Sequence, residues 1–368
     1  MRAVLRLALV AGCLRAADSP SRIFDQAAAA LSGGNYAAAE AGFQQVLKLA
    51  PNHVGALGNL GVVYSRTGRL DQAIEVYRRA LRLSPGDQGL LLNLGLVYIK
   101  QDSYAAALPL FRAVVKVDPR NRQVRELLAT SELHAGQVSV AVRGFEQLSA
   151  EEPDNTAVLY LLGIAYLKQH QPERARRTLE AFLANAPPVQ ASFLLCKAYY
   201  ESELFDEAAG SCRKTLEIDA HFTGAHRELG KVLVSQRSPD ATGELSAAVA
   251  QDPEDAEALY FLGAALLQED RVDEAISRLH RARELNPAWW GNYFYLAKAE
   301  IQRTQPAQAV PLLEKAAALN PGESAIFYQL GRTLSALGKT EAAQHAFDRV
   351  RELKAGDLEK ESRAVQKR

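Results

Sequence analysis

Side chains able to do chemistry on their own are scarce in this chain: three cysteines and seven histidines in 368 residues. Cys196 and Cys212 fall in one helical segment pair, and since a free cysteine packs as a small hydrophobe, both are expected to be buried, inert core. A disulfide between them would suit an oxidising compartment, but facing helices usually hold Cα atoms farther apart than that bond spans. His221 and His226 are the closest histidine pair; five positions apart they do not share a helical face, and no second Cys/His pair supplies zinc spacing. No metal or cofactor is expected. Asp, Glu and Ser are abundant, yet no nucleophile elbow, phosphate-cradling glycine loop or zincin helix occurs. The glycines of LGNLG and LLNLG read as helix-packing positions. Lys+Arg and Asp+Glu are both 43, which argues against nucleic acid as a main partner, because phosphate binding needs a positive excess or a concentrated basic stripe.

The regular feature is a ruler of prolines. Pro51, Pro85, Pro119, Pro153 and Pro187 recur every 34 residues, and Pro253, Pro287 and Pro321 resume the interval. Proline is excluded from helix interiors, so this spacing marks a recurring helix stop, and a period of this length means a repeat array. Between Val54 and Pro85, Leu57, Leu60, Gly61 and Tyr64 form one apolar stripe at helical spacing, Gly68 and Arg69 break it, and Leu70, Ala73, Tyr77 and Ala80 form a second. The pattern predicts helix, turn, antiparallel helix. Gly61 and Ala73 are expected at the closest approach of the two helices, with Tyr64 and Tyr77 filling wider space beyond it.

The segment LGNLGVVYSRTGRLDQAIEVYRRALRLSP resembles the tetratricopeptide repeat, and the resemblance extends over nearly the whole chain. Ten units start near residues 20, 54, 88, 122, 156, 189, 222, 256, 290 and 324, with paired small residues such as Gly95 with Ala107, Gly163 with Ala175 and Cys196 with Ala208. What the resemblance implies is an all-α fold, a right-handed α-solenoid of about ten helix-turn-helix units, residues 20–355 forming one continuous array. Glu132 and Glu300 stand where the family usually has Tyr, and the turn at Ser238-Pro239 is one residue short, so looser packing is expected near the fourth, seventh and ninth units.

The family's concave face is lined by first helices, and carrying its groove offsets over by register gives a candidate surface. In the front half the offsets hold Phe24, Ala28, Val62, Leu92, Leu96, Ile99, Ile164 and Leu167. In the rear half rings and cations interleave: Tyr160, Phe193, Lys197, Tyr200, Arg227, Lys231, Tyr260, Phe294, Lys298, Tyr328 and Arg332. The resemblance therefore implies a non-catalytic scaffold that binds a protein or peptide, with apolar side chains at the front and acidic groups at the rear. The competing reading is an accessory subunit that recruits substrate to a protein-modifying transferase; the repeats leave no room for a catalytic domain in this chain.

Residues 1–19 do not fit the repeat. Arg2 and Arg6 precede an apolar run from Leu7 to Leu14, and Val10-Ala11-Gly12-Cys13 resembles the lipobox of bacterial lipoproteins, which implies export and lipid attachment at Cys13. No stretch reaches the roughly 20 apolar residues needed to span a bilayer. At the other end, residues 356–368 carry few sizeable apolar side chains and are expected to form a polar capping helix or tail.

Overall fold

The computed structural model describes residues 19–366, with side chains to residue 356. Cys13 and the expected leader up to residue 18 lie outside the described residues. The fold is all-α, with twenty helices and no strand among the described residues. The chain divides after Asn185 into two compact units, each built of five helical hairpins.

The first unit runs α1 (Pro20–Ser32), α2 (Tyr36–Leu49), α3 (Val54–Arg66), α4 (Leu70–Leu83), α5 (Gln88–Lys100), α6 (Tyr104–Val117), α7 (Arg122–His134), α8 (Val138–Glu151), α9 (Thr156–Lys168) and α10 (Pro172–Asn185). The second runs α11 (Pro188–Glu201), α12 (Phe205–Ile218), α13 (Ala225–Ser235), α14 (Ala241–Gln251), α15 (Ala256–Gln268), α16 (Val272–Leu285), α17 (Trp290–Gln302), α18 (Pro306–Leu319), α19 (Ser324–Ala336) and α20 (Thr340–Gln366). Within each unit every helix packs on the next in sequence. The predicted starts agree with the helices except in the seventh hairpin, where Gly224 at φ 83° delays α13 to Ala225.

Two local devices set the period. After most prolines, the residue two positions on caps the coming helix: Asp87 Oδ1 accepts from Leu90 N at 3.0 Å, Asn155 Oδ1 from Val158 N at 3.1 Å, and His53 Nδ1 from Ala56 N at 3.1 Å. Inside each hairpin, one turn residue takes positive φ: Gly34, Gly68, Gly136 and Gly338 in four, and Asp102, His170, Glu203, Arg237, Asp270 and Thr304 in the other six. The next residue then donates to the carbonyl five positions back, as Arg69 N does to Tyr64 O at 2.9 Å. This closure satisfies the helix's last carbonyls.

The core of each hairpin is a large residue of the second helix pressed against a small one of the first. A Cβ added at Gly61 would stand 2.5 Å from Tyr77 Cζ, and one at Gly95 would stand 2.5 Å from Phe111 Cε1. Tyr77, expected beyond the closest approach, therefore lies at it, and only 1% of it is exposed. Where the first helix carries Ala27 or Ala129 instead, the glycine sits on the second helix: Gly42, beside Phe43, or Gly144, beside Phe145. Their added Cβ atoms would stand 2.6 and 3.1 Å from those alanine Cβ atoms. A buried ring at this position thus comes with one glycine, on either helix, because two helices cannot close over a ring with a Cβ on both sides.

In the sixth hairpin both partners of this pair are cysteine. Cys196 and Cys212 are joined in a disulfide, their Cα atoms 5.0 Å apart, within the span of that bond. The expectation of two separate thiols is corrected. The facing helices come closest at this pair, so the general spacing of helix axes does not apply there.

Successive hairpins are tied by polar pairs twenty residues apart: Gln44 with Tyr64, Arg78 with Tyr98 at 2.6 Å, and Glu146 with Tyr166 at 2.8 Å. Glu132 keeps the pattern in the fourth unit. It is buried, and Arg112 Nη2 donates to its Oε1 at 2.9 Å, so an ion pair replaces the usual ring contact instead of leaving a gap. In the ninth hairpin Glu300 is buried with Oε2 unpartnered.

Candidate functional site

In the first unit the candidate groove residues Val62, Leu92, Leu96, Ile99, Tyr160 and Ile164 are all half-buried on first helices α3, α5 and α9. Phe24, Val62, Leu92 and Ile99 pack against the unit's core, and the Tyr160 ring lies 5.3 Å from that of Phe182. Leu167 is buried. These side chains therefore serve the stack as well as any surface.

The second unit is different. Three of its first helices carry a ring followed four residues later by a cation, a spacing that puts both on one helical face. On α11, Lys197 Nζ lies 6.0 Å from the Phe193 ring; on α17, Lys298 Nζ lies 5.9 Å from Phe294 and 4.7 Å from Tyr295; on α19, the Arg332 guanidinium lies 6.0 Å from Tyr328. Lys197, Lys298 and Arg332 are exposed, as is Tyr328. Desolvation by its rings and the charge of Arg237 hold the Lys298 ammonium below its ordinary pKa.

Arg227 and Lys231 on α13 are not free charges. Arg227 Nη1 pairs with Asp255 at 2.7 Å, and Lys231 Nζ pairs with Glu228 at 3.0 Å and Glu257 at 2.8 Å. Burial opposes the charge of Lys231, but the two carboxylates more than offset it and hold its pKa above the ordinary value. The positive rear groove is thus interrupted here by its own acids.

Beside Lys231 lies a cavity of about 390 Å³ whose walls include Tyr200, Tyr260, Phe261 and Trp289. Tyr260 stands at its centre of packing, edge-on to Phe261 at 4.8 Å, Tyr295 at 5.3 Å and Trp289 at 6.1 Å. Glu257 and Asn292 also line it. Tyr200, Lys231 and Tyr260 were legible as groove positions. Phe261, Trp289 and Asn292 were not, because they stand outside the family's offsets, and Glu257, although at the second position of its unit, was passed over as an acid among rings and cations. The available signal was Trp289 itself. It occupies the helix-cap position two residues after Pro287, where Asp87, Asn155 and Asp255 accept a backbone hydrogen bond; Trp289 accepts none.

Gly291 allows this arrangement, since an added Cβ would stand 2.5 Å from Trp289 Nε1 and 2.9 Å from Tyr260 Cε2. Tyr260 is buried and Trp289 is 43% exposed, so the indole must give way. Gly291→Ala is expected to turn Trp289 into water and shift tryptophan emission to the red. Stability should barely change, because alanine gains about 0.5–1 kcal/mol over glycine in a helix. Emission spectra and a urea titration check both parts.

Among the described residues, no group of three His, Cys, Asp or Glu is placed to hold a metal ion, and no helix is long and apolar enough to cross a membrane.

A family model described as Tetratricopeptide repeat matches residues 24–88 and 160–221, and a second of the same description matches 66–130, 233–299 and 300–360. No curated protein matches the sequence. Similar solved structures include one titled "Crystal structure of MamA", at 25% identity and TM-score 0.39, covering 45% of this chain and 97% of that one. Another is YrrB, titled as a TPR protein with an unusual peptide-binding site, at 19% identity and TM-score 0.47, covering 53% and 98%. A third, the Naa15/Naa10 complex bound to HypK-THB, matches at 14% identity and TM-score 0.38, covering 90% of this chain and 63% of that one.

Proposed function

The chain belongs to the tetratricopeptide repeat family, and on that premise we propose that it is a non-catalytic scaffold whose second unit holds an extended peptide segment of a partner protein. The observation that carries this reading is the set of ring and cation pairs on α11, α17 and α19, Phe193 with Lys197, Phe294 with Lys298 and Tyr328 with Arg332. Rings supply contact area at low entropy cost, and the cations beside them suit carboxylates on the peptide. Lys231 and Arg227 contribute little to that attraction, being already paired. Within the first unit, Val62, Leu92, Leu96 and Ile164 offer apolar contacts of their own.

An array of immobilised 15-residue peptides of varied charge, probed with the full chain, tests the reading. A recurrent subset rich in Asp and Glu should bind, and Lys197→Ala, Lys298→Ala and Arg332→Ala together should lower that binding about tenfold or more, since each exposed pair contributes up to about 1 kcal/mol. Absence of any selected peptide, or binding indifferent to the triple variant, would refute it.

Export belongs to the same proposal. The disulfide of Cys196 and Cys212 supports an oxidising compartment, and the lipobox-like run ending at Cys13 supports lipid attachment there. The mass of the N-terminal peptide of the mature protein decides between a lipidated Cys13 and an unprocessed start.

A further inference from the structure

The cavity beside Lys231 breaks two local rules at once, and both departures point to a guest. The first is Trp289. Losing the acceptor at a helix cap is destabilising, and in return the indole becomes a wall of the cavity. The second is Asn292. Its side chain is 1% exposed and lines the cavity; Nδ2 donates to the Asn286 carbonyl at 3.0 Å, which fixes the amide orientation, and Oδ1 is buried with no partner. A buried acceptor left unpaired is unfavourable, so what enters the cavity is expected to bring a donor.

The charges and rings narrow the class. Lys231 and Arg227 supply two positive charges against the three carboxylates of Glu228, Asp255 and Glu257 that hold them, leaving this cluster one negative charge in excess. The walls already draw one cation, since Lys231 Nζ lies 5.3 Å from the Tyr200 ring and 5.5 Å from that of Phe261; Tyr260 and Trp289 add ring surface, and a guanidinium stacks on such faces better than an ammonium does. Acceptor, excess carboxylate and rings all favour a donor-rich cation on an apolar stem. Resting on the peptide-binding reading above, we infer that this cavity is an anchor site for an arginine side chain of the bound peptide. The guanidinium donates to Asn292 Oδ1 and to the Glu257 carboxylate while its plane lies against the rings. The fitting peptide is then basic at this one point and acidic on either side, where Lys197 and Lys298 stand exposed.

The test uses the full chain carrying Trp290→Phe, so that tryptophan emission reports Trp289 alone. Blocked pentapeptides identical except for a central Arg, norleucine, Phe or Glu are titrated in turn. The Arg peptide is expected to bind about tenfold more tightly than the norleucine peptide, the effect of a charge-assisted hydrogen bond in a desolvated site. Glu257→Gln and Asn292→Ala should each remove most of that preference. Lys231→Gln should instead tighten the Arg peptide, because a competing cation is gone; circular dichroism melts verify that each variant is folded. Equal or better binding of norleucine or Phe would show an apolar pocket and overturn the assignment. Preference for Glu, or weakening by Lys231→Gln, would show that Lys231 does the reading and would overturn it as well. If none of the four moves Trp289 emission while the array still selects peptides, the anchor site falls and the scaffold reading survives; if the array is blank too, both fall.

Discussion

Replacing Phe111 by alanine is expected to lower the stability of the first unit by about 3–5 kcal/mol, the usual cost of removing a buried ring. Phe111 is 0% exposed and lies against Gly95, which has no side chain to move into the gap. A urea titration followed by far-UV circular dichroism measures it. The partner substitution tests the cause. Gly95→Ala in the natural background should cost about 1–3 kcal/mol by overpacking. In the Phe111→Ala background the same change should be neutral or stabilising, since the obstacle is gone and alanine favours the helix. A cost that does not change between the two backgrounds would show that ring and glycine do not oppose each other.

Reducing the disulfide between Cys196 and Cys212 is expected to cost the second unit about 3 kcal/mol, the loop-closure value for a loop of this length. The sequence separation is 16 and both residues are fully buried, so reductant should act only as the unit opens. Both tryptophans lie in the second unit, so fluorescence-detected urea titrations with and without dithiothreitol isolate its stability. Alkylation of the unfolded, unreduced protein followed by mass spectrometry should leave both cysteines unmodified. Alkylation of either would remove the basis of the prediction.

Much of this architecture was readable from residue types alone, because the proline period and helix caps act locally. Pro153 and Asn155, two positions apart, stop one helix and start the next without reference to anything distant. What escaped the reading depends on which side chains meet across a hairpin. Tyr77 looked like filler for open space because its sequence neighbours do not reveal that its ring faces Gly61. The cysteine pair looked too far apart for the same reason: it occupies the slot where helices come closest. At the candidate site, Phe193, Lys197 and Tyr260 follow the repeat and were found. Trp289 and Asn292 gain their meaning from Tyr260, Tyr200 and Glu257, which two other helices, α11 and α15, bring to the same place, and no offset within one unit encodes that convergence.

The single glycine that accompanies each buried ring, placed on one helix in some hairpins and on the opposite helix in others, dictates where this gene could be cut and rejoined. A crossover at a proline exchanges intact hairpins, and each brings its own ring together with its own hollow. A crossover at the positive-φ turn would marry the first half of one hairpin to the second half of another. Joining the half that holds Ala27 to the half that holds Phe111 would oppose a ring to an alanine with no glycine on either side, while the reciprocal product would carry two and leave a void. Recombinants of this family made at the two kinds of junction should therefore differ sharply in yield of soluble chain, although the junctions lie only some seventeen residues apart.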